Sequence, residues 1–195
     1  MRIPELSSSE RQEVAIAFEV LRNGGIILYP TDTIWGIGCN AESDFAVEKC
    51  FQLKKRKQEK SMIILVDSME MLQKYTGSAP AGAIVSEMSS GRPVTFILDK
   101  GRFCAPALLA ADGSIAIRIT ADPMCRALIH EIGRGLVSTS ANVSGEFFSG
   151  NFDDISPEII NGVDYIFRSR RKMPGLKPSR IVKLKPDGAK EVLRE

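Results

Sequence analysis

The residues able to do chemistry fall into short polar clusters separated by apolar runs. Thr31, Asp32 and Thr33 follow the run Ile26-Ile27-Leu28-Tyr29 and Pro30, so small polar side chains stand where a buried strand gives way to a loop. Gly36 and Gly38 come next and permit close approach of a ligand or a neighbouring strand. Taken alone, the stretch also reads as two plain strands joined by a proline-led turn. A second cluster is cationic: Lys54, Lys55, Arg56 and Lys57, then Lys60. Fixed cations hold phosphates or carboxylates, although a run at a helix end also reads as a solvated face that favours the C-terminal dipole. A third cluster, Ser138-Thr139-Ser140-Ala141-Asn142-Val143-Ser144-Gly145, again gathers hydroxyls and an amide where a strand stops. Arg118 stands apart. In Ile115-Ala116-Ile117-Arg118-Ile119 the alternation puts it on the face opposite Ile117 and Ile119, and a buried guanidinium needs an anion, either a ligand carboxylate or a structural Asp or Glu. Cations for phosphate or carboxylate, with hydroxyls and an amide for the rest of a polar ligand, suit a nucleotide together with an amino acid.

The usual signatures are absent: there is no GxxxxGK[ST], GxGxxG, GxSxG or HExxH. The single histidine, His130, has no paired carboxylate in its pattern and is assigned no catalysis. Cys39, Cys50, Cys104 and Cys125 form no CxxC pair, which argues against zinc and for free thiols in a reducing cytoplasm. No metal site is expected. A net charge of +2 commits the chain to neither nucleic acid nor membrane. No signal peptide or spanning segment is evident, so a soluble cytoplasmic protein is expected. With 195 residues and 44% hydrophobic composition, one domain over residues 1–195 is expected.

Rigid elements must present these clusters. Residues 7–23 read as an amphipathic helix with Ser7 and Glu10 as a capping box and Gly24 as the stop. A second helix starts at Ser43 or Asp44 and runs to Lys55, delivering the cations onto its connection to a strand over 62–66. Asp67 and Glu70 have capping-box spacing before a helix carrying Met71, Leu72 and Tyr75. A helix over 81–88, a strand over 94–98 and the strand over 115–119 follow, with no clear period over 101–113. Asp122-Pro123 starts another helix, Leu136-Val137 another strand, and Ile159 a short helix. Strands at Tyr165-Ile166-Phe167, Ile181-Val182 and Glu191-Val192-Leu193 close the chain. The alternation favours an α/β layered fold with a mixed, twisted sheet.

The pieces YPTDTIWGIGCNA, LKKRKQEKSMIILV, GRPVTFIL, IAIRIT and STSANVSGE, in this order and spacing, resemble the YrdC-like family of threonylcarbamoyl-adenylate synthases over nearly the whole chain. The resemblance implies an α/β fold of YrdC/RibB-like type, its mixed, twisted sheet flanked by helices around a central positively charged cavity. It implies ATP, bicarbonate and L-threonine as substrates, Mg2+ arriving with ATP, and tRNA and tRNA-modification proteins as further partners. Carried over by position, Thr33, Arg118, Ser138 and Ser179 fall where the family binds threonine. Arg56, Lys60, Ser114, Ser140 and Arg194 fall where it binds ATP, with Asn142 in the same motifs, and Lys54 and Arg56 are the expected catalytic pair. The chain departs from the family pattern at Lys57, at Lys60-Ser61, at Leu65 where a histidine is expected, and at Ser179-Arg180. The alternative is an RNA-binding, YciO-like paralogue without threonine activity, for which Arg168, Arg170, Arg171, Lys172, Lys177 and Arg180 would supply a basic surface.

Overall fold

The computed structural model describes residues 6–56 and 62–195. Helix α1 (Ser8–Arg22) begins where Ser7 accepts the Glu10 N–H and the Glu10 carboxylate accepts the Ser7 N–H, which satisfies two of the donors a helix start leaves free. Its Val14, Ala17 and Leu21 are buried, and it packs on helix α5 (Pro123–Ile132) and strand β1 (Ile27–Tyr29). Strand β2 (Gly36–Gly38) returns antiparallel to β1. Helix α2 (Asp44–Leu53) ends with Lys54 as its C-cap, and strand β3 (Ile63–Val66) follows. Helix α3 (Met69–Tyr75) starts one residue later than the sequence suggests. Ser68, in extended conformation, accepts the Met71 N–H, while the Asp67 carboxylate only accepts the Ser68 hydroxyl. Helix α4 (Ala81–Met88) leads to strand β4 (Val94–Leu98), and the stretch without a period holds one 3-10 turn, Pro106–Leu108, before strand β5 (Ile115–Ile119). Strand β6 (Leu136–Ser140), helix α6 (Pro157–Gly162) and strands β7 (Tyr165–Ile166), β8 (Arg180–Leu184) and β9 (Lys190–Arg194) complete the order.

The strands form one nine-stranded sheet in the order β7-β1-β2-β6-β3-β5-β4-β8-β9. The β1–β7, β3–β5 and β4–β8 pairs are parallel and the others antiparallel, so the sheet is mixed. Ile64, Val66, Phe96, Leu98, Ile115 and Ile117 join helix residues such as Leu72, Ile84 and Leu128 in the core. The cysteines are free, and no helix among the described residues is long and apolar enough to cross a membrane.

Gly38 shows why the first hairpin is so glycine-rich. A Cβ there would sit 2.6 Å from the Tyr29 ring and 2.8 Å from the Val137 carbonyl oxygen. Tyr29 is fully buried and donates its hydroxyl to that carbonyl at 3.3 Å, so neither neighbour can withdraw without breaking the β1–β2–β6 contact. Gly38→Ala should therefore lower unfolding free energy by about 1–3 kcal/mol through overpacking. Urea unfolding should show a reduced midpoint with an unchanged slope; an unaltered midpoint would mean that the Tyr29 ring moves aside freely.

Candidate active site

The central strands alternate between core and cavity. On β5, Ile115 and Ile117 enter the core while Ala116 and Arg118 face the other way. The same alternation on neighbouring strands brings Ile63 of β3, Thr95 and Ile97 of β4, and Ser138 and Ser140 of β6 to one cavity of about 430 Å³. The Thr31–Trp35 loop, Arg56, Asn142, Ser179 and Arg194 complete its polar wall, with Glu146 as its acid. The sequence clusters therefore meet: strand ends remote in the chain share one concave site, of a size that takes a small substrate.

Arg118 is 3% exposed. Its Nη2 lies 3.0 Å from Asp32 Oδ1, its Nη1 donates to Thr33 Oγ1 at 3.3 Å, and its buried Nε has no hydrogen-bond partner. Thr33 is fixed in turn by Thr31, whose Oγ1 accepts the Thr33 N–H at 3.0 Å and lies 2.9 Å from Thr33 Oγ1. On the opposite side Ser179 is 2% exposed, 2.8 Å from Thr95 Oγ1. Arg194 Nε and Nη2 donate to the Ser179 carbonyl at 3.0 and 2.7 Å. Burial pushes the Arg194 pKa down, and the positive charge of Arg118 adds to that. Burial also lowers that of Arg56.

Two expected site residues lie elsewhere. Ser114 is buried in a turn, its N–H donating to Asp112 and its carbonyl accepting from Ala110, and it does not line the cavity. Lys54 is fully buried and is also absent from the wall. Its Nζ donates to the carbonyls of Ser140 and Asn142, the latter at 2.6 Å, while its own carbonyl accepts the Ser144 N–H at 2.9 Å. That geometry makes Lys54 the fastener of the 140–144 turn, which carries Ser140 and Asn142 into the cavity. Burial, aided by Arg56, pushes its pKa down to about 7. Lys60 lies outside the described residues.

Three arginines of the second basic run are engaged within the fold, while Arg168, Lys172 and Lys177 are exposed. Arg170 bonds Glu10 and Asp122, Arg171 stacks 4.3 Å over the Phe152 ring, and Arg180 bridges Glu87 and Glu195. Thr95 has no role in the sequence reading, and Asp32, grouped there with Thr31 and Thr33, has no partner assigned. Asp32 stood in view between two threonines, but nothing in the pattern pointed it at Arg118.

Comparison with known proteins places this architecture. The model of the Sua5/YciO/YrdC family, described as "Telomere recombination", matches residues 19–195. The chain belongs to this family. A Sua5/YciO/YrdC relative from Thiobacillus denitrificans, a threonylcarbamoyl-AMP synthase, is 37% identical over 126 residues, 64% of this chain and 67% of that protein. E. coli YciO is similar in structure, with a TM-score of 0.79 at 26% identity, over 95% of this chain and 89% of that one. P. abyssi Sua5 complexed with L-threonine also has a TM-score of 0.79, over 95% of this chain. At 24% identity that likeness shows the fold, and the present chain spans 54% of the length of that Sua5.

The Lys54 environment predicts a pH signature. Its folded pKa, about 7, is below the ordinary 10.5, so above pH 7 the unfolded chain binds the extra proton and stability rises with pH. Between pH 7 and 9, wild-type unfolding free energy should gain up to about 1.4 kcal/mol per pH unit relative to Lys54→Met, the thiols and phenols cancelling in the comparison. Denaturant titrations of the two proteins would check this; parallel pH profiles would show that Lys54 is charged throughout.

Proposed function

We propose that the chain is a threonylcarbamoyl-AMP synthase, converting L-threonine, bicarbonate and ATP into threonylcarbamoyl-AMP and pyrophosphate. The observation that carries the reading is the meeting of two recognition sets on one cavity: a buried arginine with hydroxyls, and a second set of cation, hydroxyl and amide. Arg118, Thr33, Ser138 and Ser179 are assigned to threonine, the guanidinium taking its carboxylate through paired hydrogen bonds. Arg56, Ser140, Asn142 and Arg194, with Lys60, are assigned to ATP. Asn142 supports this, because its Oδ1 is buried without a hydrogen-bond partner while Nδ2 is held by the Val143 and Glu146 carbonyls. Arg56 and Arg194 on the wall, set against Glu146, support a site suited to phosphates, the Arg118 charge being matched by Asp32.

The amine of threonine adds to the carbon of bicarbonate with loss of water, giving a carbamate. A carbamate oxygen then attacks the α-phosphorus as the bond to pyrophosphate breaks. No enzyme nucleophile is needed, so the protein acts by holding three reactants in line and countering charge on the phosphoryl oxygens. Among the described residues no group of three His, Cys, Asp or Glu side chains could hold a metal; Mg2+ enters as part of the ATP complex. The product serves tRNA modification, which makes tRNA and its modification proteins the onward partners. The rival RNA-binding reading is weakened because Arg170, Arg171 and Arg180 are already engaged internally.

Pyrophosphate release should require both L-threonine and bicarbonate, and equal release with serine or with no amino acid would exclude the threonine assignment. Arg56→Ala should lower turnover by about 10²–10³-fold, as for loss of one donor to a developing charge, with the unfolding midpoint retained. Full turnover in that variant would remove Arg56 from the ATP site.

A further inference from the structure

Asp32 is the only residue whose carboxylate is paired with Arg118 among the described residues, yet it is not on the wall of the main cavity. It lines a second cavity of about 190 Å³ that shares the Thr31–Trp35 loop with the first, together with Asp122 and Arg170. Asp32 thus pairs with a guanidinium that lines the main cavity while itself lining the second one. The neighbouring Asp122 is occupied: its Oδ1 accepts the Met124 and Cys125 N–H groups at the start of α5, and its Oδ2 takes Arg170, which also bonds Glu10. Burial raises the Asp32 pKa and Asp122 adds to the rise, while Arg118 first, then the Asp32 backbone and the Thr120 hydroxyl, oppose it.

A guanidinium buried in a cavity that admits ATP, bicarbonate and pyrophosphate faces a selectivity problem. Every one of those anions is attracted to an uncompensated buried cation, and such a cation is itself costly to bury. A fixed carboxylate 3.0 Å away offsets the charge, which leaves a defined set of donors, including the unpartnered Nε, for a ligand of matching shape. We propose that Asp32 is a positioning residue that determines specificity: by orienting Arg118 and cancelling its charge, it reserves that arginine for the carboxylate of a zwitterionic amino acid rather than for a free anion. The inference rests on the assignment of Arg118 to threonine made above.

Steady-state kinetics of the wild type, Asp32→Asn and Asp32→Glu, with inorganic phosphate as the competing anion, test it. In Asp32→Asn the threonine KM should rise about tenfold or more, as expected for misplacing a hydrogen bond to a charged group, with ATP KM little changed, while the unfolding midpoint falls because Arg118 is left buried without its anion. Phosphate should become competitive with threonine at concentrations that leave the wild type unaffected. Asp32→Glu keeps the charge but displaces the guanidinium, so it should raise the threonine KM without phosphate sensitivity, and it serves as the main variant if Asp32→Asn does not fold. An unchanged threonine KM, or equal losses for threonine and ATP in both variants, would overturn the proposal. The wild-type assay separates the two readings: lack of threonine-dependent turnover there would count against the synthase assignment. In that case calorimetry decides for Asp32, with phosphate expected to bind the Asn variant more tightly than the wild type and equal binding contradicting the charge-cancelling role.

Discussion

A full positive charge sits in the middle of the sheet, and much of the site follows from the need to satisfy it. Arg118 lies on β5 between β3 and β4, at 3% exposure. Removing a guanidinium from water costs several kcal/mol unless hydrogen-bonded anions replace the solvent. Asp32 supplies a negative charge at 3.0 Å and Thr33 a hydroxyl acceptor, which obliges the loop after β1 to hold one shape. Thr31 fixes that loop through the Thr33 N–H and the Ile34 carbonyl, and the Leu176 N–H holds the Thr33 carbonyl at 2.6 Å. The electrostatic demand of one strand residue is thus met by segments from both ends of the chain.

Lys54 applies the same logic with different partners. Its ammonium has no carboxylate; two backbone carbonyls accept from it instead, and burial lowers its pKa. Carbonyl dipoles cost less to bury than a carboxylate and leave no strong local field, so the turn is fastened without an acid that would repel phosphates. The two buried cations therefore divide the labour: Arg118 faces the cavity, and Lys54 shapes the turn that presents Ser140 and Asn142.

Much of this was legible in the sequence because local rules and packing agreed. The alternation around Arg118, the polar strand ends, the capping box of α1 and the Asp122-Pro123 helix start all reflect interactions within a few residues. Partners across the sheet were not legible. Asp32 meets Arg118 only because β1, β2, β6, β3 and β5 lie side by side, and Glu10, Glu87 and Asp122 consume arginines that read as a basic surface. Lys54 misled for a related reason. A cation at a helix end normally points to water, and its inward turn depends on carbonyls contributed by β6 and the loop after it. Ser114 shares its sequence neighbourhood with β5, but a tight turn to Asp112 draws it away from the cavity.

The central claim is that this cavity joins three small reactants into one acyl-adenylate. The most direct measurement is mass spectrometry of the products formed from ATP, L-threonine and carbon-13 bicarbonate. The account predicts a nucleotide product heavier than AMP by a threonylcarbamoyl group, carrying one heavy carbon. Formation of unlabelled AMP or ADP alone, with threonine unconsumed, would contradict it.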